Sequence, residues 1–299
     1  MSAIVIDGKQ MAEDIRGEVA LGVRAVKEST GITPGLAAVL VGNDPASSVY
    51  VRNKRRACDE AGMFSETFEL PSETTQAHLL QVIGSLNVDP RFHGILVQLP
   101  LPSHIEEREV ILMINPDKDV DGMHPINSGR LLEGNPRFLP ATPAGVQQML
   151  VRTGNDPTGK HVVVLGRSNI VGKPLAALLM QKASGANATV TVCHTGTDDI
   201  GTFSRQADIV VAAIGRPQAL TSDMVKEGAV VIDVGINRVE DATKKSGYRL
   251  VGDVDYEAVA DKASAITPVP GGVGPMTIAM LLTNTLRAAR FASGDIQGA

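Results

Sequence analysis

Five short runs rich in Val, Ile and Ala alternate with helix-like segments in the second half of the sequence. They occupy residues 161–165, 189–193, 209–214, 229–234 and 265–267. Strands that are apolar on both faces are typical of a parallel sheet covered by helices on both sides. The pattern therefore predicts the α/β class, with a five-stranded parallel sheet in this half.

The first half also alternates between helix and strand. Apolar side chains recur every three or four residues at Met11, Ile15, Val19, Val23 and Val26, which predicts one face of a helix over residues 9–31. The other predicted elements are helices at 47–62, 74–87 and 105–114, strands at 36–41, 63–70 and 94–98, a loop-rich stretch at 115–140, a helix that opens at Thr142-Pro143, and a final helix at 276–292.

The length of the chain, 299 residues, corresponds to two domains at about 150 residues each. Thr142 followed by Pro143 is a helix start, and we expect the domain boundary inside or just before that helix. The final helix is apolar on most of its circumference, so it must be buried. The sequence alone does not decide whether it covers the second sheet or returns to the first domain.

Composition narrows the range of partners. The formal net charge is -5, aromatic residues make up 3% of the chain and Trp is absent, which argues against nucleic acid or an acidic membrane surface. No apolar run has the length of about 18 residues that a membrane helix needs, and the first residues lack a signal pattern. Cys58 and Cys193 are the only cysteines, which indicates a reduced compartment. We expect a cytoplasmic protein.

The predicted strand at 161–165 leads directly into Gly166-Arg167-Ser168 and then Gly172-Lys173-Pro174. A glycine at the strand end allows a tight turn, and the second glycine opens a helix whose N–H groups can face a pyrophosphate. Ser168 stands where the dinucleotide pattern has its middle glycine. A strand–loop–helix turn that binds nothing remains the alternative, but its place on the first turn of the predicted sheet favours a Rossmann-like dinucleotide domain.

The end of the next strand indicates which nucleotide would bind. An NAD site of this kind has Asp or Glu there to bind the ribose, whereas this strand is followed by His194 and Thr195 with no carboxylate before Asp198. A 2′-phosphate is therefore tolerated, and Arg167, Ser168, His194 and Thr195 can donate hydrogen bonds to it. NADP is preferred over NAD. No second His or acidic residue lies at metal-ligand spacing from His194, so a metal site at His194 is disfavoured. The alternative to nucleotide binding is a surface or cap histidine.

Polar side chains in the first half follow the predicted strands. Ser47, Tyr50 and Lys54 share one face of the helix after strand 36–41, because they are spaced i, i+3 and i+7. Gln98 follows the strand at 94–97, and an acidic segment occupies residues 117–122. Ligands bind beyond the carboxyl ends of strands in α/β sheets, so together these residues favour a catalytic site.

Each of these features also has a simpler interpretation. Lys54 lies in a basic run that could be a solvated helix face, or its stem could lie over the ring of Tyr50. Gln98 could cap a strand edge. The acidic segment resembles the start of a calcium loop, but Ser128 stands where that loop requires glutamate. We therefore predict no metal site.

Five motifs extend across nearly the whole chain in a fixed order. They are Tyr50-Val51-Arg52-Asn53-Lys54, Gln98-Leu99-Pro100-Leu101-Pro102, Asp117-Lys118-Asp119-Val120-Asp121-Gly122, Gly166-Arg167-Ser168 and Pro270-Gly271-Gly272-Val273-Gly274-Pro275-Met276-Thr277. In this order the chain resembles the bifunctional methylenetetrahydrofolate dehydrogenase/methenyltetrahydrofolate cyclohydrolase family. One departure is Thr195, where serine is common in the family; the hydroxyl is retained.

The resemblance implies a domain organisation and a reaction. A catalytic domain would comprise residues 1–145 completed by the C-terminal helix at 276–299, with an NADP-binding domain at 146–275 and a cleft between them. The protein would be a homodimer formed through the dinucleotide domains. It would oxidise a methylene bridge between two nitrogens of a folate with NADP and then hydrolyse the methenyl product.

The resemblance also implies residue roles. Tyr50 stacks on the folate, Asp121 hydrogen-bonds its pterin ring, Gln98 orients Lys54, and Ser47 lines the same pocket. The implied NADP contacts are Gly166, Arg167, Ser168, Thr195 and Ile236, and the loop with Pro270, Gly271 and Gly272 borders both ligands.

Lys54 suits the second step of this chemistry. A protonated lysine would repel the cationic carbon that hydride loss creates, and burial next to that charge lowers a lysine pKa, so Lys54 can act as a base or proton shuttle towards water. Two rival hypotheses remain: a dehydrogenase of the same fold without hydrolase activity, and a non-catalytic nucleotide-sensing module. Neither the dimer nor the ratio of the two rates follows from the residues themselves.

Overall fold

The structure is a computed structural model that describes residues 3–244 and 247–296. The chain folds into two compact units. The first, called here the six-strand unit, comprises Thr142–Thr277 and the N-terminal segment through Ala12. The second, the three-strand unit, comprises Glu13–Ala141 and the C-terminal segment from Ile278.

Helices and strands alternate up to residue 113, and one more helix follows before residue 141. The elements are β1 (Ile4–Val5), α1 (Gly8–Thr30), β2 (Gly35–Val41), α2 (Pro45–Glu60), β3 (Phe64–Leu70), α3 (Gln76–Val88), β4 (Gly94–Val97), α4 (Glu107–Met113) and α5 (Pro125–Leu132). Helix α1 ends where Gly31 adopts a φ of 74°, a conformation that glycine reaches without steric strain.

The three-strand unit is built on a parallel sheet in the order β3-β2-β4. Every residue of the central strand β2 is buried. On one face of this sheet, Val39, Ile95 and Val97 join a buried apolar cluster with Leu79 and Ile83 of α3. The sheet is thus fixed by an apolar core, and the polar residues that follow its strands are held at defined positions.

The rest of the chain contains the longer sheet. Its elements are α6 (Ala141–Arg152), β5 (His161–Leu165), α7 (Gly172–Leu179), β6 (Thr189–Cys193), α8 (Ile200–Ser204), β7 (Ile209–Ala212), a 3-10 turn (Ser222–Met224), β8 (Val230–Asp233), β9 (Asn237–Glu240), β10 (Tyr248–Val251), α9 (Tyr256–Ala260), β11 (Ala265–Ile266) and α10 (Val273–Ala292).

Six parallel strands form this sheet in the order β1-β11-β8-β7-β5-β6. Strands β7 and β8 are buried along their whole length, because helices cover both faces. The predicted α/β class with a Rossmann-like parallel sheet is confirmed.

Four elements differ from the sequence-based expectation. The sheet has a sixth strand, because β1 pairs with β11; with only two residues, both exposed, it carries no strand pattern. Helix α5 lies inside the stretch expected to be loop-rich. Strands β9 and β10 form an antiparallel hairpin that the sequence did not predict, because its turn holds no Asn-Gly or Asp-Gly signal.

The N-terminal and C-terminal segments of the chain belong to different units. The expected domain of residues 1–145 included the N-terminal segment, but the pairing of β1 with β11 puts residues 3–12 in the six-strand unit. In contrast, Asn284 of α10 donates hydrogen bonds to Val120 O (2.8 Å) and Leu139 O (2.7 Å). The part of α10 from Ile278 onward therefore belongs to the three-strand unit.

Across the described residues, we find no helix with the length and apolarity needed to cross a membrane.

Candidate functional site

Helix α2 places three of the predicted site residues. It begins after Asp44, whose Oδ2 accepts a hydrogen bond from Ser47 N at 2.7 Å, and Pro45 occupies the first helical turn. Ser47 and Lys54 are buried, with 4% and 7% of their surface exposed. Tyr50 is partly buried, and its ring centroid lies 5.9 Å from Lys54 Nζ.

Gln98 holds the amine of Lys54. Lys54 Nζ donates a hydrogen bond to Gln98 Oε1 at 3.0 Å, and Gln98 Nε2 donates to Leu99 O at 2.7 Å. The backbone of Gln98 is fixed as well, because its N–H donates to Val39 O of β2 at 2.9 Å. The amide can therefore present only its oxygen to the lysine.

Burial and the neighbouring charges shift the pKa values of Lys54 and Asp121 in opposite directions. Burial lowers the pKa of Lys54, and the Asp121 carboxylate, with a smaller contribution from Cys58, counteracts that shift. Burial raises the pKa of Asp121, and Lys54 opposes it. Burial also raises the pKa of Cys58 to about 12, so its thiol stays protonated. Lys54 is thus a buried amine for which giving up a proton is easier than in water.

Asp119 fixes the chain around Asp121. It forms a bridge with Ile95 of β4, and its carboxylate accepts hydrogen bonds from Met123 N (3.1 Å), His124 N (2.8 Å) and Asn127 Nδ2 (2.8 Å). Burial raises its pKa to about 6, and the nearby Asp121 charge adds to this shift. A void of about 10 Å³ beside Asp119 and Asp121 has room for roughly one water molecule.

In the six-strand unit, the turn from β5 to α7 is closely packed. Gly166 has a φ of 134°, and a Cβ there would collide with Ala213 O. A Cβ at Gly172 would collide with Gly166 O. Ser168 Oγ accepts hydrogen bonds from Val171 N (3.1 Å) and Gly172 N (3.4 Å), so the serine that replaces the middle glycine shapes the turn.

The end of β6 fits a phosphorylated ribose. His194 Nδ1 accepts a hydrogen bond from Gly196 N at 3.1 Å, and His194 N donates to Thr197 Oγ1 at 3.0 Å. Thr195 and Arg167 are exposed. No carboxylate lies between the strand end and Asp198, so no acidic side chain in this segment would repel a 2′-phosphate.

Two more segments follow strands of the six-stranded sheet. Ile236, after β8, is an apolar residue with 49% of its surface exposed. Gly271, after β11, has a φ of 109°, and Gly272 O contacts Gly8 so closely that a Cβ on Gly8 would collide with it. Pro270 is exposed at the start of this loop.

Models of a known family match both parts of the chain. Residues 6–121 match the tetrahydrofolate dehydrogenase/cyclohydrolase catalytic domain, and residues 140–293 match the NAD(P)-binding domain of the same family. The chain belongs to this family.

Individual relatives support this family membership. The chain is 58% identical over 293 residues to Bifunctional protein FolD of Chlorobium luteolum, covering 97% of this chain and 99% of that protein. The crystal structure of the Campylobacter jejuni FolD enzyme has a TM-score of 0.90 at 48% identity, covering 97% of this chain and 100% of that one. The Trypanosoma brucei FolD structure, complexed with NADP cofactor and inhibitor, has a TM-score of 0.92 at 42% identity, covering 98% and 99%. The family expected from the motifs is confirmed.

Within this family member, the predicted residues fall into two groups. Lys54, Gln98 and Tyr50 are in contact or near contact, and Asp121 interacts electrostatically with Lys54. Ser47 lies on the same face of α2 as Tyr50 and Lys54, but within the described part of the chain no hydrogen bond of its side chain links it to Lys54. The other predicted residues all belong to the six-strand unit: Gly166, Arg167, Ser168, His194, Thr195, Ile236, Pro270, Gly271 and Gly272.

Sequence reasoning missed the role of Asp119. The sequence shows Asp117, Asp119 and Asp121 at equal spacing, and nothing in that spacing indicates which carboxylate is turned inwards to backbone N–H groups. Within residues 3–244 and 247–296, no three or more His, Cys, Asp or Glu side chains are grouped so that they could hold a metal ion.

Proposed function

We propose that this chain oxidises 5,10-methylenetetrahydrofolate with NADP and hydrolyses the resulting 5,10-methenyl compound to 10-formyltetrahydrofolate. The observation that carries the proposal is the buried Lys54 amine, held at 3.0 Å by Gln98 Oε1 in the part of the chain that matches the family's catalytic domain. Burial lowers the pKa of Lys54, which suits a base that works beside a developing cation.

The two steps make different demands on the protein. NADP, when bound, accepts the hydride that leaves the methylene bridge. In the second step water adds to the cationic carbon and loses one proton, and the new hydroxyl group loses its proton as one C–N bond breaks to leave the formyl C=O. Of these two protons one reaches the freed nitrogen and the other is released to solvent. Lys54 accepts the water proton and can return it to that nitrogen, while Gln98 keeps the amine in place.

The remaining first-half residues bind the folate in this proposal. Tyr50 offers a ring face for stacking on the pterin, and burial raises the pKa of its phenol, so it stays neutral. Asp121 accepts hydrogen bonds from the donor edge of the pterin. Ser47 lines the same pocket through its buried position on α2.

The six-strand unit binds NADP in this proposal, through Gly166, Arg167, Ser168, His194, Thr195 and Ile236. Pro270, Gly271 and Gly272 border the folate as well as NADP. The strand end without a carboxylate before Asp198 favours NADP over NAD. The three-strand unit, with the C-terminal helix, is the catalytic domain.

The assembly and location are proposals too. We place the protein in the cytoplasm as a homodimer formed through the NADP-binding domains, because this arrangement is implied by the family resemblance. Both cysteines are buried and free, which suits a reducing compartment. The net charge of -5 favours neither nucleic acid nor an acidic membrane as a partner.

One assay tests the proposal and separates it from its rivals. Purified protein is mixed with methylenetetrahydrofolate and NADP, and the absorbance of the methenyl product is followed over time. A rise followed by a decay faster than the spontaneous hydrolysis supports both activities. A rise that decays only spontaneously indicates a dehydrogenase alone, and no rise indicates a nucleotide-sensing module and contradicts the proposal.

A further inference from the structure

Three buried polar residues lie at the carboxyl end of the six-stranded sheet, and none of them has a part in the proposed chemistry. Asp233 ends β8, Asp253 follows β10, and Thr267 follows β11. Their exposed fractions are 3%, 0% and 0%. Isolated charges are not buried without a reason, because removing a carboxylate from water is strongly unfavourable.

Asp253 fixes the turn that follows β7. Its Oδ2 accepts hydrogen bonds from Ile214 N at 2.6 Å and Gly215 N at 2.8 Å. Its Oδ1 accepts one from Asn237 Nδ2 at 2.8 Å. One carboxylate therefore binds two successive backbone N–H groups after β7 and a side chain at the start of β9.

Asp233 connects Asp253 to two other loops. Its Oδ1 accepts hydrogen bonds from Gly235 N (2.9 Å) and Asp253 N (2.9 Å), and its Oδ2 accepts one from Val254 N (3.0 Å). Its own N–H donates to Thr267 Oγ1 at 2.7 Å. A continuous chain of hydrogen bonds thus joins the loops after β7, β8 and β11.

Two glycines leave room for the carboxylates. A Cβ at Gly235 would collide with the Asp253 side chain, and a Cβ at Gly252 would collide with the Asp233 side chain. The backbone is built around both charged groups. Burial, together with the neighbouring Asp253 charge, raises the pKa of Asp233 to about 6, so holding the Asp233 carboxylate ionised opposes folding near neutral pH.

The position of these hydrogen-bonded residues in the sheet indicates which half of the nucleotide their loops serve. In a dinucleotide fold the turn after the first strand, here β5, takes the pyrophosphate, and the two halves of the nucleotide lie to either side. His194 and Thr195 follow β6, on one side of β5. The loops after β7, β8 and β11 lie on the other side, which leaves them to the nicotinamide half.

We infer that Asp233 and Asp253 are positioning residues for the nicotinamide half of NADP, acting through the three loops that they tie together. This inference rests on the proposed function. The loops carry Ile236 and Pro270 as proposed contacts, and a displacement of about 1 Å at a reacting centre can change a rate by about a hundredfold. The alternative is that the pair merely stabilises the fold.

The test compares Asp253→Ala with Asp253→Asn. The alanine leaves Ile214 N and Gly215 N without their acceptor. The asparagine retains one oxygen for them, but it loses the charge and the second oxygen, which accepts the hydrogen bond from Asn237 Nδ2. Because the chain has no Trp, the Kd of NADP is measured by titration calorimetry, without turnover. Dehydrogenase kcat and KM, hydrolysis of added methenyl compound, and Tm are measured on the same preparations.

We expect the alanine variant to raise the Kd of NADP and to lower dehydrogenase kcat. The product of the two fold-changes should be about 10 to 100. Hydrolysis, which consumes no NADP, should stay within about twofold of wild type, and Asp253→Asn should recover most of the lost NADP affinity. If Asp253→Ala binds NADP like wild type, or loses both activities in parallel with its Tm, the inference is overturned.

Asp208→Ala is the matched control. Asp208 also accepts a hydrogen bond from a backbone N–H, that of His161 at 3.0 Å, but at the opposite end of the same sheet. This variant should lower Tm and leave the Kd of NADP unchanged. An equal rise in Kd for Asp208→Ala would mean that any loss of stability weakens binding, and would overturn the inference.

A second variant applies if Asp253→Ala does not fold. Asn237→Ala leaves both buried carboxylates in place and removes only the hydrogen bond to Asp253 Oδ1. It should raise the Kd of NADP by about threefold or more, and an unchanged Kd contradicts the inference. If wild-type protein binds NADP but forms no methenyl compound, the proposed function fails separately.

Discussion

The region around Lys54 differs in construction from the segments after β5 and β6, residues 166–172 and 194–197. We call these segments the nucleotide edge, because we propose that they bind NADP. Around Lys54, side chains specify the geometry: the buried Lys54 amine donates a hydrogen bond to the Gln98 amide and interacts electrostatically with the Asp121 carboxylate. At the nucleotide edge the backbone specifies it, through glycines that leave no space for a Cβ. The cationic and hydroxyl side chains there, Arg167 and Thr195, are exposed.

This difference predicts different responses to substitution. Exchanging the Lys54 amine should change the chemistry and leave the fold intact, because the only hydrogen bond of this amine goes to another side chain, that of Gln98, within the described residues. At the nucleotide edge, adding a single methyl group should disturb the fold and binding together. Removing an exposed side chain there should change only the preference between nucleotides.

The largest expected effect is that of Lys54→Met on hydrolysis. Methionine fills a similar volume but cannot move a proton, so hydrolysis of the methenyl compound should fall by about 10² to 10⁴-fold, the usual contribution of a general base. Dehydrogenase activity should fall less. Rates with added methenyl compound and with methylene compound plus NADP check this expectation.

Two observations make the Lys54→Met result interpretable. Methionine removes the cost of burying the amine but leaves Gln98 Oε1 without its donor, so Tm is measured to show that the variant is folded at the assay temperature. Arg55→Met, on the exposed neighbouring position of α2, should leave both rates unchanged. Full hydrolase activity in Lys54→Met would contradict the role given to this amine.

Gly166→Ala should destabilise the turn from β5 to α7 and weaken NADP binding. The residue has a φ of 134°, and the new Cβ would collide with Ala213 O, so strain and overlap together should lower the free energy of unfolding by about 3 kcal/mol or more. The Kd of NADP should rise in the same variant. Urea denaturation and calorimetry measure the two effects.

Gly159→Ala separates strain from overlap. Gly159 also has a positive φ, 72°, but a Cβ there would meet no atom within 4 Å. We expect a loss of only about 1–2 kcal/mol and unchanged NADP affinity. If the two variants lose the same stability, the close contact with Ala213 is not what requires glycine at position 166.

The fold could be predicted where hydrophobic periodicity is strong. The bounds of β5 and β6 agree with the predicted runs at 161–165 and 189–193, because buried parallel strands are continuous apolar segments. Strand β1 could not be predicted, since two exposed residues have no periodicity. Their pairing with the distant strand β11, near the other end of the chain, is decided by tertiary contacts.

The candidate site follows the same division. The shared helix face of Ser47, Tyr50 and Lys54 could be predicted from spacing alone, and the resemblance supplied Gln98 as the partner of Lys54. The inward hydrogen bonds of Asp119 and the Asp233–Asp253 pair could not. Most of their donors are backbone N–H groups, which every residue except proline carries and which leave no trace in the sequence.

A pH experiment probes the buried charge on the Lys54 side. Burial raises the pKa of Asp119 from the ordinary value of 3.8 to about 6, so the folded state holds this proton at pH values where the unfolded chain has lost it. Its contribution to stability is full below about pH 4 and is lost as the pH rises through 6. The free energy of unfolding of wild type minus that of Asp119→Asn should fall by about 1–3 kcal/mol between about pH 4 and pH 7.5.

Asp208→Asn provides a control of opposite sign. Its hydrogen bond with Lys226 lowers the pKa of Asp208, so its contribution is present above the unfolded pKa and is lost as the pH falls. The corresponding difference should rise with pH. A flat profile for Asp119→Asn would mean that burial does not disfavour the ionised Asp119 side chain.

The smallest expected effect tests the choice between nucleotides. Arg167 is exposed, and no carboxylate follows β6 before Asp198, so its proposed role is to bind the 2′-phosphate of NADP. Arg167→Ala should raise the KM for NADP by about tenfold, the usual loss for one charge-assisted hydrogen bond, and leave the KM for NAD nearly unchanged. Each nucleotide serves as the control for the other, because NAD has no phosphate at this position. Equal increases for both would mean that Arg167 shapes the turn itself, which would make this edge depend on its side chains as the Lys54 region does.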